Sequence, residues 1–339
     1  MNERYSRQML FAGIGRDGQE KLSRSAVLLV GCGALGASHA EMLARAGVGR
    51  LRIVDRDFVE YTNLQRQTLF SEADADDRLP KAIAAKKRLA AINSEIEVEA
   101  IVADVNNSNV ESLIEGCDLV LDGSDNFQLR YLVNDACVKH GKPWINGAAV
   151  SSYGTTMAVL PGETPCLRCV FEEMPDAGSS PTCDTAGVIM PIISSISAVQ
   201  VTEALKMLSG RRDELHRSLM QIDIWRHEWR KIKLDGPSPG CRTCGGGIFD
   251  FLDAGSQEFA AVLCGRDAVQ VAPPRPVRLQ IAELAARLGR TSAVKHNEYL
   301  VRFPVDVYEM TVFTDGRAIV KGTDDISVAR SLYAKYIGT

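Results

Sequence analysis

The stretch SAVLLVGCGALGASHAEMLARAG, residues 25–47, decides the fold of this chain. Five apolar residues, 26–30, predict a short buried strand. Gly31, Gly33 and Gly36 follow as G-x-G-x-x-G and lead into a segment with helical period that stops at Gly47. Such a glycine turn lets backbone N–H groups approach a nucleotide at a helix N-terminus. A tight strand-to-helix turn with no ligand is the alternative.

A second strand follows directly and supports the nucleotide interpretation. The run GRLRIVD ends at Asp55, 19 residues past Gly36. A carboxylate at this distance is typically the acceptor for ribose hydroxyls. The combination indicates an adenine nucleotide, and it does not distinguish between a nicotinamide cofactor and ATP.

Strands and helices then alternate as far as residue 150. Helical patterns occupy PKAIAAKKRLAAIN, NVESLIEG and FQLRYLVNDACVKHG, and strand patterns occupy EIEVEAIVAD, CDLVLDGSD and KPWINGAA. Alternation of this kind predicts a parallel sheet covered by helices on both faces. We therefore predict an α/β fold with a Rossmann-like, doubly wound and mostly parallel sheet.

The pattern changes after residue 150. A loop at 171–191 precedes an apolar helix, PIISSISAVQVTEALKMLSG, and SLMQIDIWRHEWRKIKL reads as edge strands. DGPSPGCRTCGGG is typical of a linker. We predict one domain over 1–248 and a small C-terminal α/β module of unknown role over 249–339, with a hairpin turn at Asp315 and Gly316.

Composition excludes several classes of protein. The 339 residues carry a formal net charge of −4 without a long basic run, so nucleic acid is not an expected partner. No apolar stretch is long enough to suggest a membrane span, and the N-terminus MNERYSRQMLFAG lacks an apolar signal segment. Nine cysteines without a secretion signal predict a cytoplasmic protein with reduced thiols and a metal site.

Polar side chains gather after the second strand, in DFVEYTNLQRQTLF, residues 57–70. The phosphate-binding pattern G-x-x-x-x-G-K-[ST] is absent from the sequence. If ATP binds, its phosphates must be held by side chains, and Arg66 and Lys81 are the candidate donors. Asn63 and Gln65 are candidate neutral partners. Each of these residues taken alone is equally typical of a solvated surface.

The stretch LDGSDN ends the fourth predicted strand and places Asp122 and Asp125 at the same edge of the sheet. Mg²⁺ binds through one or two carboxylates together with phosphates, so a carboxylate here suits a magnesium ion. A helix cap by Ser124 or Asp125 is the competing interpretation.

Two C-x₂-C pairs, Cys166/Cys169 and Cys241/Cys244, match a tetrahedral zinc site with four thiolates. The 71 residues between the pairs mean that such a site ties distant segments together. Coincidence among reduced surface cysteines and a redox pair are the alternatives. Cys183 lies outside the pairs, before a predicted helix, where a lowered pKa favours a nucleophile; an inert thiol is the alternative.

Taken together, these motifs resemble the ThiF/MoeB/HesA adenylyltransferases, bacterial relatives of ubiquitin-activating enzymes. The resemblance covers roughly residues 4–245 and rests on RYSRQ, GCGALG, IVDRDFVEYTNLQRQ, PKAIAA, DGSDN, the two cysteine pairs and TCDTAGV. It implies ATP-dependent adenylation of the C-terminal glycine carboxylate of a small ubiquitin-fold sulfur carrier that ends in two glycines. Pyrophosphate is released, and a thiocarboxylate is prepared for thiamine-thiazole or molybdopterin biosynthesis.

The resemblance also implies site residues. Nucleotide contacts fall to Gly31, Gly33, Ala34, Gly36, Asp55, Asp57, Asn63, Gln65, Arg66, Lys81, Asp125 and Asn126. Catalytic roles fall to Arg7, Arg66, Lys81, Asp125 and Cys183, with Arg7 reaching the ATP of the partner in a homodimer. Asp125 would bind Mg²⁺, and Cys166, Cys169, Cys241 and Cys244 would bind a structural Zn²⁺. A cysteine desulfurase or another protein would donate the sulfur.

The chain departs from the family pattern at two places. Ala34 stands where many relatives have glycine, and its methyl group fits only if the backbone φ is negative. The segment 249–339 is short for a sulfurtransferase domain and carries its cysteine, Cys264, near the start, so we expect no sulfurtransferase chemistry there. Three other interpretations stay open: a nicotinamide-dependent oxidoreductase, a zinc-stabilised binding protein, and a tRNA-modifying ATP-dependent dehydratase of the same superfamily.

Overall fold

The computed structural model of the chain describes residues 3–175, 182–253, 260–263, 267–273, 277–289 and 293–338. It divides into two compact units, Met1–Gly255 and Ser256–Thr339. Residues 249–255, which the sequence placed in the C-terminal module, group with the first unit. No helix among the described residues is both long and apolar enough to cross a membrane.

The first unit is built on one eight-stranded sheet, with strand order β3-β2-β1-β4-β5-β6-β7-β8. Its strands are β1 (Ala26–Val30), β2 (Arg50–Asp55), β3 (Glu97–Val102), β4 (Leu119–Asp122), β5 (Trp144–Val150), β6 (Tyr153–Val159), β7 (Ser218–Asp223) and β8 (Glu228–Lys233). The pairs among β1 to β5 are parallel, except that β5 continues into the antiparallel run β6, β7 and β8. The predicted, mostly parallel sheet is confirmed. The segment expected to form edge strands is the antiparallel pair of β7 and β8, of which β8 lies at the edge.

Helices cover the sheet as the alternation predicted. They are α1 (Ser6–Leu10), α2 (Gly15–Arg24), α3 (Ala34–Ala46), α4 (Glu72–Asp76), α5 (Lys81–Ile92), α6 (Val110–Ile114), α7 (Phe127–Lys139), α8 (Leu167–Val170), α9 (Cys183–Ala186), α10 (Met190–Ser209) and α11 (Asp250–Asp253). Three 3-10 turns add Glu3–Tyr5, Tyr61–Asn63 and Arg212–Glu214. Residues 11–14 separate α1 from α2, and Gly15, the first residue of α2, has a left-handed φ of +63°.

The buried core lies on both faces of the sheet. Val30, Tyr131 and Trp144 belong to one apolar cluster, which α6 and α7 cover. Leu35 of α3, Ile193 of α10 and Ile222 of β7 belong to a second cluster. All five residues of β1 are buried, which explains the uninterrupted apolar run that opens the fold. Helix α3 ends at Gly47 and α10 at Gly210, both left-handed, as is common at helix C-termini.

The second unit has its own six-stranded sheet of order β11-β12-β13-β14-β10-β9. Its elements are β9 (Ala260–Leu263), β10 (Ala268–Val271), α12 (Ile281–Leu288), β11 (Lys295–His296), β12 (Leu300–Val305), β13 (Tyr308–Phe313), β14 (Ala318–Lys321) and α13 (Ile326–Tyr336). The pairs are antiparallel, and both helices share one apolar cluster with the sheet. The predicted hairpin at Asp315 and Gly316 joins β13 to β14. Cys264 lies outside the described residues.

Candidate active site

The glycine turn between β1 and α3 is packed too closely for side chains. A Cβ atom on Gly36 would lie 2.0 Å from the carbonyl oxygen of Gly31, and Gly31 itself has a φ of +87°. A Cβ atom on Gly123, just past β4, would lie 2.8 Å from the Cα atom of Gly36. The sequence pattern singled out Gly31 and Gly36 but missed Gly123, whose role depends on a contact between distant segments.

Ala34 fits this turn in spite of its departure from the family pattern. It is the first residue of α3, directly after Gly33, and its φ is not in the left-handed region. The backbone conformation at Ala34 therefore accommodates the methyl group, as the sequence analysis required. Gly33, the N-cap residue of α3, has no side chain that could cap the helix, so backbone N–H groups at the N-terminus of α3 stay available to a ligand.

Asp55 ends β2 and stabilises the glycine turn by hydrogen bonds. Its Oδ2 accepts a hydrogen bond of 2.6 Å from the backbone N–H of Cys32, and its Oδ1 accepts one of 2.7 Å from Asp57. Burial raises the pKa of Asp55, while the nearby charge of Lys81 acts in the opposite direction. The predicted ribose acceptor thus lies beside the turn, and its carboxylate also fixes the backbone there.

Lys81 is buried at the start of α5 and is held by a carboxylate. Its Nζ lies 3.2 Å from Oδ2 of Asp57, and the Lys81 side chain is only 5% exposed. The attraction within such a pair offsets part of the cost of burying the ammonium group. Arg56 lies next to the pair, with its Nε 3.9 Å from Oδ1 of Asp57. Asp57 and Lys81, both expected among the nucleotide contacts, therefore lie side by side, and Asp57 contacts the lysine directly.

The 3-10 turn Tyr61–Asn63 arranges the polar cluster of TNLQRQ. Asn63 is buried, and its Oδ1 accepts from the backbone N–H of Glu60. Its carbonyl oxygen accepts from the N–H groups of Arg66 and Gln67. Arg66 is half-buried and donates through Nη1 to the carbonyl of Thr62, at 2.8 Å.

Gln67 rather than Gln65 faces the glycine turn. Gln65 is exposed, whereas Gln67 is buried with its Nε2 3.9 Å from the Cβ position of Gly33. The Oε1 atom of Gln67 is buried and has no hydrogen-bond partner within the described structure. Sequence reasoning chose Gln65 because nothing in the local pattern tells which amide of an irregular turn points inward.

The two aspartates after β4 have different surroundings. Asp122 is buried, and its carboxylate contacts Arg130 Nε at 3.2 Å and the backbone and hydroxyl of Ser124. Burial raises the pKa of Asp122, and the charge of Arg130 opposes this. Asp125 is exposed at the crevice edge. The helix cap belongs to Asn126, whose Oδ1 accepts from the N–H of Leu129 at 2.8 Å.

Arg7 and Cys183 lie apart from this cluster. Arg7 is exposed on α1, and no hydrogen bond or ion pair joins it to the site residues in the described part of the chain. Cys183 opens the short helix α9, and its Sγ donates to the carbonyl of Ala149 at the end of β5, at 3.5 Å. Residues 176–181 of the loop that carries Cys183 lie outside the described residues.

The four paired cysteines converge on one point. Their Sγ atoms all lie within 4.8 Å of one another. Cys166 is 3.8 Å from Cys169 and 3.6 Å from Cys241, and Cys169 is 3.3 Å from Cys244. Thiolates around a tetrahedral zinc ion at about 2.3 Å from the metal would be about 3.8 Å apart. The cluster therefore has a geometry that fits a structural metal.

Helix α7 holds the two cysteine segments in place. Asn134 Oδ1 accepts from the N–H of Leu167, at 2.8 Å. Asp135 accepts from the hydroxyl of Thr243 and from the N–H of Phe251. The stretch 235–247, expected to be a linker, is thus held against the first unit. The signal that sequence reasoning missed is the adjacent pair Asn134 and Asp135 in an otherwise apolar part of α7.

A buried polar group lies behind the crevice. His39 of α3 is fully buried, and its Nε2 is 2.8 Å from Oε1 of Gln200 on α10. Gln200 Nε2 donates to the carbonyls of Asp122 and Ile145. Burial lowers the pKa of His39 to about 4. These contacts join α3, α10, β4 and β5 immediately below the loops that carry the polar site residues.

Comparison with known proteins agrees with this arrangement. The ThiF family matches residues 5–243. The chain belongs to the ThiF family. It is 44% identical to the sulfur carrier protein ThiS adenylyltransferase of Bacillus subtilis over 340 residues, 100% of each chain. It is 40% identical over 248 residues to the sulfur carrier protein adenylyltransferase of Thermus thermophilus, covering 72% of this chain and 90% of that relative.

Solved structures of other proteins show the same architecture. The crystal structure of Escherichia coli MccB with ATP superposes with a TM-score of 0.63 and 28% identity, over 72% of this chain and 75% of that one. Membership of the ThiF family implies the use of ATP, and it decides against the nicotinamide-dependent oxidoreductase considered from the glycine turn alone.

Proposed function

We propose that this protein adenylates the C-terminal glycine carboxylate of a small ubiquitin-like sulfur carrier, with release of pyrophosphate. The observation that carries the proposal is the 44% identity with the ThiS adenylyltransferase, which extends over the full length of both chains. The match therefore includes the second unit as well as the ThiF region, 5–243. The product would be a precursor for thiocarboxylate formation in thiamine-thiazole or molybdopterin biosynthesis.

The charges in the crevice suit this chemistry. Attack of a carboxylate on an α-phosphorus requires charge neutralisation and in-line positioning more than acid–base groups. Arg66 and Lys81 supply positive charge, and Asp57 holds the Lys81 side chain in place. Asp55 and the glycine turn would hold the ribose and the nearest phosphate. Gln67, with its buried Oε1 beside the turn, joins the proposed nucleotide contacts in addition to Gln65.

Two metal ions complete the proposal. Asp125, exposed at the crevice edge, would bind a Mg²⁺ ion, with Asn126 beside it, and the ion would neutralise phosphate charge. The four-cysteine cluster would bind Zn²⁺, because four thiolates at these distances suit that ion. All four positions would be taken by protein ligands, so this zinc would be structural. Thiolate ligands also suit the reducing cytoplasm, where we place the protein.

The position of Arg7 supports a homodimer. Arg7 is exposed on α1, and Leu10 and Phe11 beside it are 75% and 66% exposed. Contiguous exposed apolar side chains of this kind favour a surface that a partner covers, in contrast to single ones. Arg7 would then reach the ATP of the other subunit. Cys183 would form a covalent link to the carrier, and a cysteine desulfurase or another donor would supply sulfur.

ATP–pyrophosphate exchange by the purified protein tests the proposed function. We would measure it alone and with each of two carriers ending in two glycines, one of the thiamine pathway and one of the molybdopterin pathway. We expect exchange that depends on a carrier and is lost in Arg66→Ala and Asp125→Ala. Arg50→Ala, which removes an exposed arginine at the opposite end of β2, is the matched control and should retain exchange.

The opposite result is equally clear. A folded protein that holds its metal but exchanges pyrophosphate with neither carrier would contradict the proposal. Retention of that protein on bulk tRNA at physiological salt would then favour the tRNA-modifying dehydratase.

A further inference from the structure

Arg56 is a partly buried arginine to which none of the roles proposed above is assigned. It follows Asp55 directly at the end of β2, and its side chain is 29% exposed. Its Nη1 lies 3.1 Å from Oδ1 of Asp104, which follows β3. The pair therefore spans the ends of two neighbouring strands, beside the carboxylate expected to hold the ribose.

The loop after β3 fixes Asp104 in position. Asn109 donates through Nδ2 to the carbonyl oxygen of Asp104, at 2.8 Å. The Oδ1 atom of Asn109 accepts from the N–H of Asn106, at 2.9 Å. A side chain that bonds the backbone twice in this way holds a short loop in one conformation. Asp104 is thus a preset partner that orients the guanidinium group.

Charges surround Arg56 on several sides. Burial lowers the pKa of Arg56, but the carboxylates of Asp104, Asp57, Asp125 and Asp55 raise it by more, so the group stays charged. Four carboxylates around one arginine make a poor environment for a polyphosphate, but they do not oppose a flat and neutral group.

The sheet order indicates what such a group would be. The glycine turn belongs to β1, the ribose acceptor Asp55 to β2, and Asp104 follows β3, which lies on the far side of β2. With phosphates at the turn and ribose at Asp55, the base points away from the phosphates, toward Arg56. A guanidinium whose edge is paired with a carboxylate still offers a planar face for stacking.

We propose that Arg56, oriented by Asp104, stacks on the adenine base and is a specificity-determining residue of the nucleotide site. The inference rests on the proposed function only in assuming that an adenine nucleotide binds at the turn. It adds a recognition element for the base to the groups already assigned to ribose, phosphates and metal.

Equilibrium dialysis with labelled ATP tests this on the full-length protein. We expect Arg56→Ala to weaken ATP binding and competition by adenosine by roughly five- to thirtyfold, the range of a cation–π contact. Competition by inorganic tripolyphosphate should stay unchanged, and the preference for ATP over CTP should fall. Arg50→Ala is the matched control, since Arg50 begins β2, the strand that Arg56 directly follows, and also pairs with a β3 carboxylate, Glu97.

Asp104→Asn separates positioning from direct contact. We expect a weaker loss of adenosine affinity, and no further loss when it is combined with Arg56→Ala, because Asp104 acts through the arginine. Unchanged adenosine affinity in Arg56→Ala would overturn the proposal, and so would an equal loss for tripolyphosphate. Should Arg56→Ala not fold, the effect of Asp104→Asn on adenosine against tripolyphosphate decides in the same way.

The proposal and the enzymatic function fail separately. Adenosine binding that depends on Arg56, without carrier-dependent pyrophosphate exchange, would support the base contact and contradict the adenylation. Carrier-dependent pyrophosphate exchange by the wild type, together with normal adenosine affinity in Arg56→Ala, would support the adenylation and contradict the base contact. A wild-type protein that binds neither ATP nor adenosine would contradict both.

Discussion

The buried imidazole of His39 should make the first unit sensitive to mild acid. Burial lowers the pKa of His39 from 6.5 to about 4. Between these values the unfolded chain binds a proton that the folded protein does not, so stability falls as the pH falls. Each pH unit in this interval changes the free energy of unfolding by about 1.4 kcal/mol. The loss from His39 alone is about 2 kcal/mol at pH 5 and about 3 kcal/mol near pH 4.

His39→Gln should remove this part of the pH dependence. A glutamine amide can still donate to Oε1 of Gln200, the contact that Nε2 of His39 makes now. We expect the variant to lose some stability at pH 7.5 through altered packing, but to lose about 2 kcal/mol less than the wild type between pH 6.5 and pH 5. Urea unfolding at each pH measures this.

Tryptophan fluorescence reports the relevant unit, because Trp144, Trp225 and Trp229 all lie within it. His296→Gln, which changes an exposed histidine of the second unit, is the control and should leave the profile unchanged. Parallel profiles for the wild type and His39→Gln would refute the reasoning. They would mean that the folded protein accommodates a charged imidazole at this position.

Three further expectations concern the turn, the cysteines and the buried lysine. Gly36→Ala should destabilise the protein by about 1–3 kcal/mol in thermal unfolding, since the new methyl group would meet the Gly31 carbonyl, whereas Gly236→Ala, in open space, should not. Cys241→Ser should lower bound metal, measured by elemental analysis, from one ion per chain to nearly none. Lys81→Met should cost roughly 3 kcal/mol in urea unfolding by leaving the Asp57 carboxylate without its nearest cation.

Each of these has a contrary outcome. A stable Gly36→Ala would show that the turn can widen. Full metal content in Cys241→Ser, equal to that of a Cys183→Ser control outside the cluster, would argue against a four-thiolate site. A Lys81→Met variant as stable as the wild type would mean that the ion pair contributes little beyond its own desolvation.

Much of the fold followed from periodicity. The uninterrupted apolar run of β1 is buried on both sides, and α3 stops at Gly47, as the sequence pattern predicted. These features are local: apolar spacing and turn chemistry act over a few residues. The segment SLMQIDIWRHEWRKIKL, predicted as edge strands, forms the antiparallel pair of β7 and β8.

The parts that sequence reasoning missed depend on contacts between distant segments. Gly123 is required because Gly36 packs against it, and nothing in LDGSDN alone indicates that contact. Gln67 faces inward and Gln65 outward because the 3-10 turn and the residues after it have no regular period. Arg56 is informative only once Asp104 is placed beside it, 48 residues later in the chain. The residue types that a site needs can be identified from the sequence, but the orientation of their side chains in irregular segments cannot.

The edge strand β8 has a consequence for solubility at high concentration. Five of its six residues are exposed, and among the described strands it has a neighbour on one side only. An open edge with apolar side chains such as Trp229 and Ile232 could pair with the same edge of another molecule. Arg230, Lys231 and Lys233 place like charges along that edge and oppose such stacking. Electrostatic repulsion along β8 thus opposes extension of the sheet from one molecule to the next. High salt would weaken this protection.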